Sequence, residues 1–172
     1  YSGIDGWEVY CYKDAVAKLF ERVADLGVQP IGLGARDTLR FEANLPLYGQ
    51  EYDDTISPLE AGYGYFVKLD KESDFVGKEA LKKQKADGLK RKIVGFEMEK
   101  GSPRHGYDVY KGDTKIGIVT TGYISPTLGK PIGFALVDIA ESEMGNTFDI
   151  AVRNKRLPAT VVSRKFLKKD KK

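Results

Sequence analysis

The run Gly32-Leu33-Gly34-Ala35-Arg36-Asp37-Thr38-Leu39-Arg40-Phe41-Glu42 is the part of this chain best equipped for chemistry. Leu33, Leu39 and Phe41 can face a core, but Arg36, Asp37 and Arg40 cannot all be buried without partners. A half-buried arginine presents a planar fork of donors that fixes a carboxylate or a flat polar ligand. The alternative is a structural ion pair, Arg36 with Asp37 or Glu42. Arg40, one helical turn beyond Arg36, reads as structural, paired with Glu8 or Glu42. Glu8 closes the turn-rich opening Tyr1-Ser2-Gly3-Ile4-Asp5-Gly6-Trp7. Its two acceptor oxygens complement a ligand edge with adjacent N–H donors; otherwise it caps a turn or sits on an exposed strand face. His105, the single histidine, lies in the loop Pro103-Arg104-His105-Gly106-Tyr107, a position type that often carries function. Neither Arg104 nor His105 is assigned to catalysis.

The elements that must position these residues follow from periodicity. Trp7 to Tyr12 alternates and is rich in β-formers, so it reads as a strand with Cys11 as a buried structural thiol. Asp14 can cap a helix in which Val16, Leu19, Phe20, Val23 and Leu26 share a face, ended by Gly27. Gly34 to Asn44 reads as a second helix stopped by Pro46. Residues 45–64 read as ordered loop with at most a helical turn. Tyr65 to Leu69 reads as a short strand, and Gly77 to Lys85 as a short helix ended near Gly88.

From Lys90 the pattern changes. Strands are expected at 93–98, 108–110, 115–120, 132–137, 148–152 and 159–162, with turns at Lys111-Gly112-Asp113 and Asn154-Lys155-Arg156. Six short strands at this spacing suggest a small antiparallel barrel or sandwich. The fold class is therefore α+β: an α/β portion over residues 1–89, then a small antiparallel β-barrel domain over 90–172 that ends in a basic tail.

A length of 172 residues with 41% hydrophobic and 31% charged composition suits one domain or two small ones around a real core. There is no apolar run long enough to span a bilayer and no signal-peptide pattern, so a membrane partner is not expected. One cysteine and one histidine cannot build a zinc site by themselves, so no metal is expected. The net charge of +3 is concentrated at the end, where Arg164 to Lys172 holds six basic residues and one acid, net +5, leaving −2 for the rest. That is a solvated, frayed terminus rather than a nucleic-acid footprint.

Five ordered motifs carry a resemblance: Tyr1 to Glu8, the Gly-Leu-Gly-Ala-Arg-Asp run, Ser57-Pro58-Leu59-Glu60-Ala61-Gly62, Pro103 to Tyr107, and Thr120-Thr121-Gly122-Tyr123-Ile124-Ser125-Pro126-Thr127-Leu128-Gly129-Lys130. Together they resemble the glycine cleavage system T proteins, aminomethyltransferases that use tetrahydrofolate. The resemblance covers Tyr1 to about Phe166 and implies a carboxy-terminal half, since the family's proteins are roughly twice this length. It implies that residues 1–89 are the remnant of the folate-binding domain. It implies Glu8 and Arg36 as folate-binding residues, and Tyr65 where relatives carry an aromatic beside the pteridine. Tyr1, adjoining the first motif, could line the folate pocket. The family's catalytic aspartate is expected upstream of Tyr1, with none in this segment.

Ile4 stands where the family usually has Glu. No tyrosine follows Phe166 to match one that some relatives place in the folate site. The implied reaction is one-carbon transfer from an aminomethyl group on a lipoylated carrier protein to tetrahydrofolate, with ammonia released. The implied setting is glycine catabolism in the cytoplasm, or the mitochondrial matrix in a eukaryote. Alternatives are the folate-binding half of a related demethylase or oxidase, and a non-catalytic folate-binding module.

Overall fold

The computed structural model describes residues 1–167, which form two compact units, Tyr1–Leu45 and the chain from Pro46 onward. The lysine-rich residues 168–172 lie outside the described residues.

The first unit contains helices α1 (Lys13–Asp25) and α2 (Leu33–Glu42). Helix α1 starts after Tyr12 with no side-chain cap; Asp14 instead sits in the first turn, where its charge complements the helix dipole. Both helices end in the same hydrogen-bonded corner. Gly27, at φ +84°, takes the left-handed position after α1, with Val28 N–H bonded to Val23 O and Gly27 N–H to Ala24 O. Asn44, at φ +58°, does the same after α2, with Leu45 N–H bonded to Arg40 O and Asn44 N–H to Phe41 O. The expected strand at Trp7–Tyr12 does not form. No neighbouring strand pairs with it among the described residues, and an isolated extended segment has no ladder to hold it. Cys11 is consequently exposed rather than buried.

In the second unit, the loop after Pro46 leads to a 3-10 turn (Gly64–Phe66), helix α3 (Lys78–Asp87) and six strands. The strands are β1 (Arg91–Met98), β2 (Asp108–Lys111), β3 (Thr114–Ile124), β4 (Pro131–Asp138), β5 (Thr147–Val152) and β6 (Lys155–Val162). The expected strand at Tyr65–Leu69 is replaced by the 3-10 turn. Phe66 N–H bonds Tyr63 O and Val67 N–H bonds Gly64 O, so local bonds close where a sheet partner is missing.

The strands close into an all-antiparallel barrel in the order β1-β4-β3-β2-β5-β6. Alternate residues fill the interior: Val94, Phe96 and Met98 from β1, Ala135 and Val137 from β4, Phe148 and Ile150 from β5, and Ala159 and Val161 from β6. Phe96 and Phe148 meet edge to face with centroids 6.0 Å apart. Strand β4 is buried on both faces, which explains its near-continuous apolar reading.

Two buried carboxylates, Glu51 and Glu60, and the half-buried Arg164 tie the loop after Pro46 to the rest of its unit. Glu51 is fully buried; Leu47 N–H donates to its Oε2 at 3.0 Å, and the Thr120 and Thr121 hydroxyls lie 3.0 and 2.6 Å from its Oε1. A register break in β3 beside Thr120 aims both hydroxyls the same way. Ser57 and Glu60 form a reciprocal capping box, Ser57 N–H donating to Glu60 Oε2 at 2.8 Å and Glu60 N–H to Ser57 Oγ at 3.2 Å. Arg91 Nε then donates to Glu60 Oε1 at 2.7 Å. Arg164, read from sequence as the start of a frayed tail, instead donates to Ala61 O and Gly62 O and covers the Tyr63 ring at 5.0 Å. Phe166 stacks on Phe134 at 5.4 Å, so the chain stays docked at least that far.

Burial raises the Glu60 carboxyl, but the Arg91 and Ser57 hydrogen bonds outweigh it and hold the net value below the ordinary carboxylate range. A lowered folded value means the stabilisation is complete above the unfolded value, about 4.3, and is lost as pH falls through the folded one. Denaturant melts of wild type and Glu60→Gln are expected to differ at neutral pH and to converge on acidification below about pH 4. A constant gap across that window contradicts the assignment. Gly133 packs so closely on Phe96 that a Cβ there would overlap the ring and crowd the Thr121 carbonyl. Gly133→Ala is expected to cost about 1–3 kcal/mol in the same melts, and an unchanged midpoint contradicts the packing.

Candidate functional site

The site is built inside the first unit, where the amino-terminal segment crosses the end of α2. Gly3, at φ +78°, comes so close to Ala43 that any side chain would overlap the Ala43 methyl. This approach sets Tyr1 beside α2, and the Arg36 guanidinium lies 4.4 Å from the Tyr1 ring centroid. A cation over an aromatic face keeps its charge while losing freedom to swing, so Tyr1 steers Arg36.

Glu8 and Arg36 line one cleft of about 530 Å³, together with Ile4, Trp7, Leu33 and Leu39. Tyr1 also lines it. Glu8 and Arg36, the two residues the resemblance implied for ligand binding, thus line one concavity from separate elements. The Tyr10 hydroxyl donates to Glu8 Oε2 at 3.1 Å. Glu8, Tyr10 and Tyr12 fall on one side of an extended segment, so the segment fixes which way the carboxylate points.

Arg40 is fully buried and its Nε donates to Asp37 at 2.6 Å, a partner not named in the sequence reading. Its Nη1 donates to Leu45 O at 3.2 Å, bracing the corner that ends α2. Asp37 is therefore held one turn away toward Arg40, while Arg36 is exposed at the cleft. The start of α2 also faces this space: Gly32 and Leu33 line it and the helix has no side-chain cap. Its unpaired amides add to the positive character of that wall. Sequence reasoning did not weigh this end of the helix, although Gly-Leu-Gly, with no Ser, Thr, Asp or Asn to cap it, was the available signal.

Tyr65 lies in the second unit. It is 80% exposed, meets Phe66 edge to face at 5.4 Å, and carries the Lys68 ammonium 4.2 Å above its ring. It stands in the 3-10 turn, not at the start of a strand. His105 faces the Thr120 carbonyl through Nδ1 at 2.6 Å, a contact in which Nδ1–H must be the donor. Arg104 lies 5.5 Å from the Tyr123 ring centroid. Among the described residues no group of three or more His, Cys, Asp or Glu is placed to hold a metal ion, and no helix is long and apolar enough to cross a membrane.

The model described as the GCVT N-terminal domain matches residues 1–71, and that of the glycine cleavage T-protein C-terminal barrel domain matches residues 91–168. An aminomethyltransferase of Alkaliphilus oremlandii is 59% identical over 171 residues, covering 96% of this chain and 46% of its own length. One from Thermoanaerobacter sp. is 54% identical, covering 99% and 47% respectively. The crystal structure of glycine cleavage system aminomethyltransferase T from Bartonella henselae superposes with a TM-score of 0.82 at 27% identity, over 90% of this chain and 44% of that one. The chain spans about half the length of the curated relatives it matches. With the helical segment, the closed barrel and both family models in the same order, this chain belongs to the glycine cleavage T-protein family.

Proposed function

We propose that this chain supplies the folate-positioning part of a tetrahydrofolate-dependent aminomethyltransferase of the glycine cleavage system. The whole enzyme would move the one-carbon unit from an aminomethyl group on a lipoylated carrier protein to tetrahydrofolate and release ammonia. The observation that carries this reading is the shared cleft of Glu8 and Arg36.

The residues present suit the ligand. A reduced pterin has an amino-pyrimidinone edge with adjacent donors, which a two-oxygen acceptor such as Glu8 matches. Arg36, held over Tyr1, offers donors to the ligand's acceptors, while Trp7, Ile4 and Leu33 give apolar walls for a flat ring system. Tyr65 is proposed as a further aromatic contact. When bound, tetrahydrofolate supplies the amine nitrogens that accept the one-carbon unit. What the chain's own residues do is orient the ligand, and orientation lowers a barrier by several kcal/mol in well-held pairs. Residues 1–89 would be the folate-binding part and 90–172 the barrel domain. The setting would be the cytoplasm, or the mitochondrial matrix in a eukaryote.

In the intact enzyme, Glu8→Ala is expected to weaken tetrahydrofolate binding by about 1.5–3 kcal/mol, the range for a charge-assisted hydrogen bond. Unchanged affinity in a titration rejects the role given to Glu8. The family's catalytic aspartate is expected outside this chain, and the carboxylates here have other duties: Asp37 on Arg40, Glu51 and Glu60 buried in the second unit. The 172-residue chain alone is therefore expected to release no ammonia when given tetrahydrofolate and loaded carrier. Turnover near that of a full-length relative would place the catalytic group within these residues and overturn the assignment.

A further inference from the structure

Within the second unit, the turn that precedes Tyr65 is gripped at both ends. Ala61 N–H bonds Ser57 O at 2.9 Å, Gly62 N–H bonds Leu59 O at 3.0 Å and Tyr63 N–H bonds Pro58 O at 2.9 Å. The front of this turn is pinned to β1, because Arg91 holds the Glu60 carboxylate and Ile93 N–H donates to Glu60 O at 2.9 Å. Its end presents the Ala61 and Gly62 carbonyls, and the Arg164 guanidinium donates to both while covering the Tyr63 ring. A cation at the carbonyl end of a helical turn meets the partial negative charge gathered there. The 3-10 turn Gly64–Phe66 follows at once, closed by bonds within itself, and displays Tyr65 and Phe66 to solvent.

The berth of Arg164 is shaped from both sides. A Cβ at Gly62 would come within 2.7 Å of the guanidinium, and one at Gly95 within 3.0 Å of the Arg164 backbone. Two residues on, Phe166 stacks on Phe134 and holds the chain against β4. An exposed aromatic side chain contributes most to binding when its orientation is set beforehand, since ordering it on contact costs affinity. We propose that Arg164 is a positioning residue: by clamping the Ala61 and Gly62 carbonyls it fixes the turn that presents Tyr65 to a flat heterocyclic ligand. This rests on the aromatic contact proposed above for Tyr65, through which Arg164 acts; Arg164 itself touches no ligand.

The test uses Arg164→Met, which keeps the apolar stem over Tyr63 and removes the donors. Hydrogen exchange is expected to quicken at the amides of Tyr63, Phe66 and Val67 while the strand amides of the barrel keep their protection. In the intact enzyme, Arg164→Met and Tyr65→Ala are each expected to raise the KM for tetrahydrofolate about fivefold, the scale of one lost aromatic contact, with kcat held within about twofold. The double variant is expected to be no worse than either single one, because both remove the same contact. Additive effects on KM overturn the proposal, as does exchange at 63–67 that ignores Arg164→Met. Protection lost throughout the barrel also overturns it, since Arg164 would then be a general stabiliser. Titration of Glu8→Ala alongside separates the two readings. Affinity lost in Glu8→Ala with KM unmoved in Arg164→Met sinks this proposal alone, and the reverse pattern sinks the role of Glu8 alone.

Discussion

A backbone or an apolar face withdrawn from water needs a partner, and this requirement decides which parts of the chain are regular. Around the barrel it is met by closure: β1 pairs with β4 on one side and β6 on the other, and so on round the ring, until no edge is left. Closure also explains β4. A strand covered inside by barrel side chains and outside by Phe166 and its neighbours has no solvated face to reward polar residues. In the first unit the same requirement goes unmet among the described residues, and Trp7–Tyr12 is extended without a ladder.

The charged residues obey the same logic more severely, because a buried charge without partners costs several kcal/mol. Glu51 collects two hydroxyls and an amide, Glu60 an amide and a guanidinium, and Arg40 a carboxylate and a carbonyl. Each of these joins segments that side-chain hydrophobicity alone would leave loosely related. The loop after Pro46 has little regular structure, yet Glu51 and Glu60 fix it at two points, and Arg164 returns from the far end of the chain to hold a third.

The barrel strands were legible in sequence because their partners lie in the same chain and alternate apolar positions face one interior. Both helix ends were legible for a local reason, a left-handed residue at Gly27 and at Asn44 before Pro46. The two strand errors have one cause. Trp7–Tyr12 and Tyr65–Leu69 carry strand composition, but strand pairing is non-local and composition does not say whether a neighbour exists. Cys11 followed the first of these errors. Arg164 was misread because a run of lysines masks one arginine whose partners are carbonyls a hundred residues away. The pairing of Arg40 with Asp37 was readable, since i and i+3 share a helix face, and was passed over in favour of Glu8 and Glu42.

Glu8 and Arg36 carry opposite charges on the wall of one open cleft, and in water that attraction is weak. Two features keep the pair from simply neutralising each other. Tyr1 takes the face of the Arg36 guanidinium, and the Tyr10 hydroxyl takes one oxygen of Glu8, so each charge is steered by a neighbour before any ligand arrives. Arg40 meanwhile holds Asp37, the carboxylate closest in sequence to Arg36. A flat ligand with donors on one edge and acceptors beyond can then satisfy both ends at once. As it excludes water from the cleft, each hydrogen bond strengthens, so cover over the cleft governs affinity as much as the residues that line it.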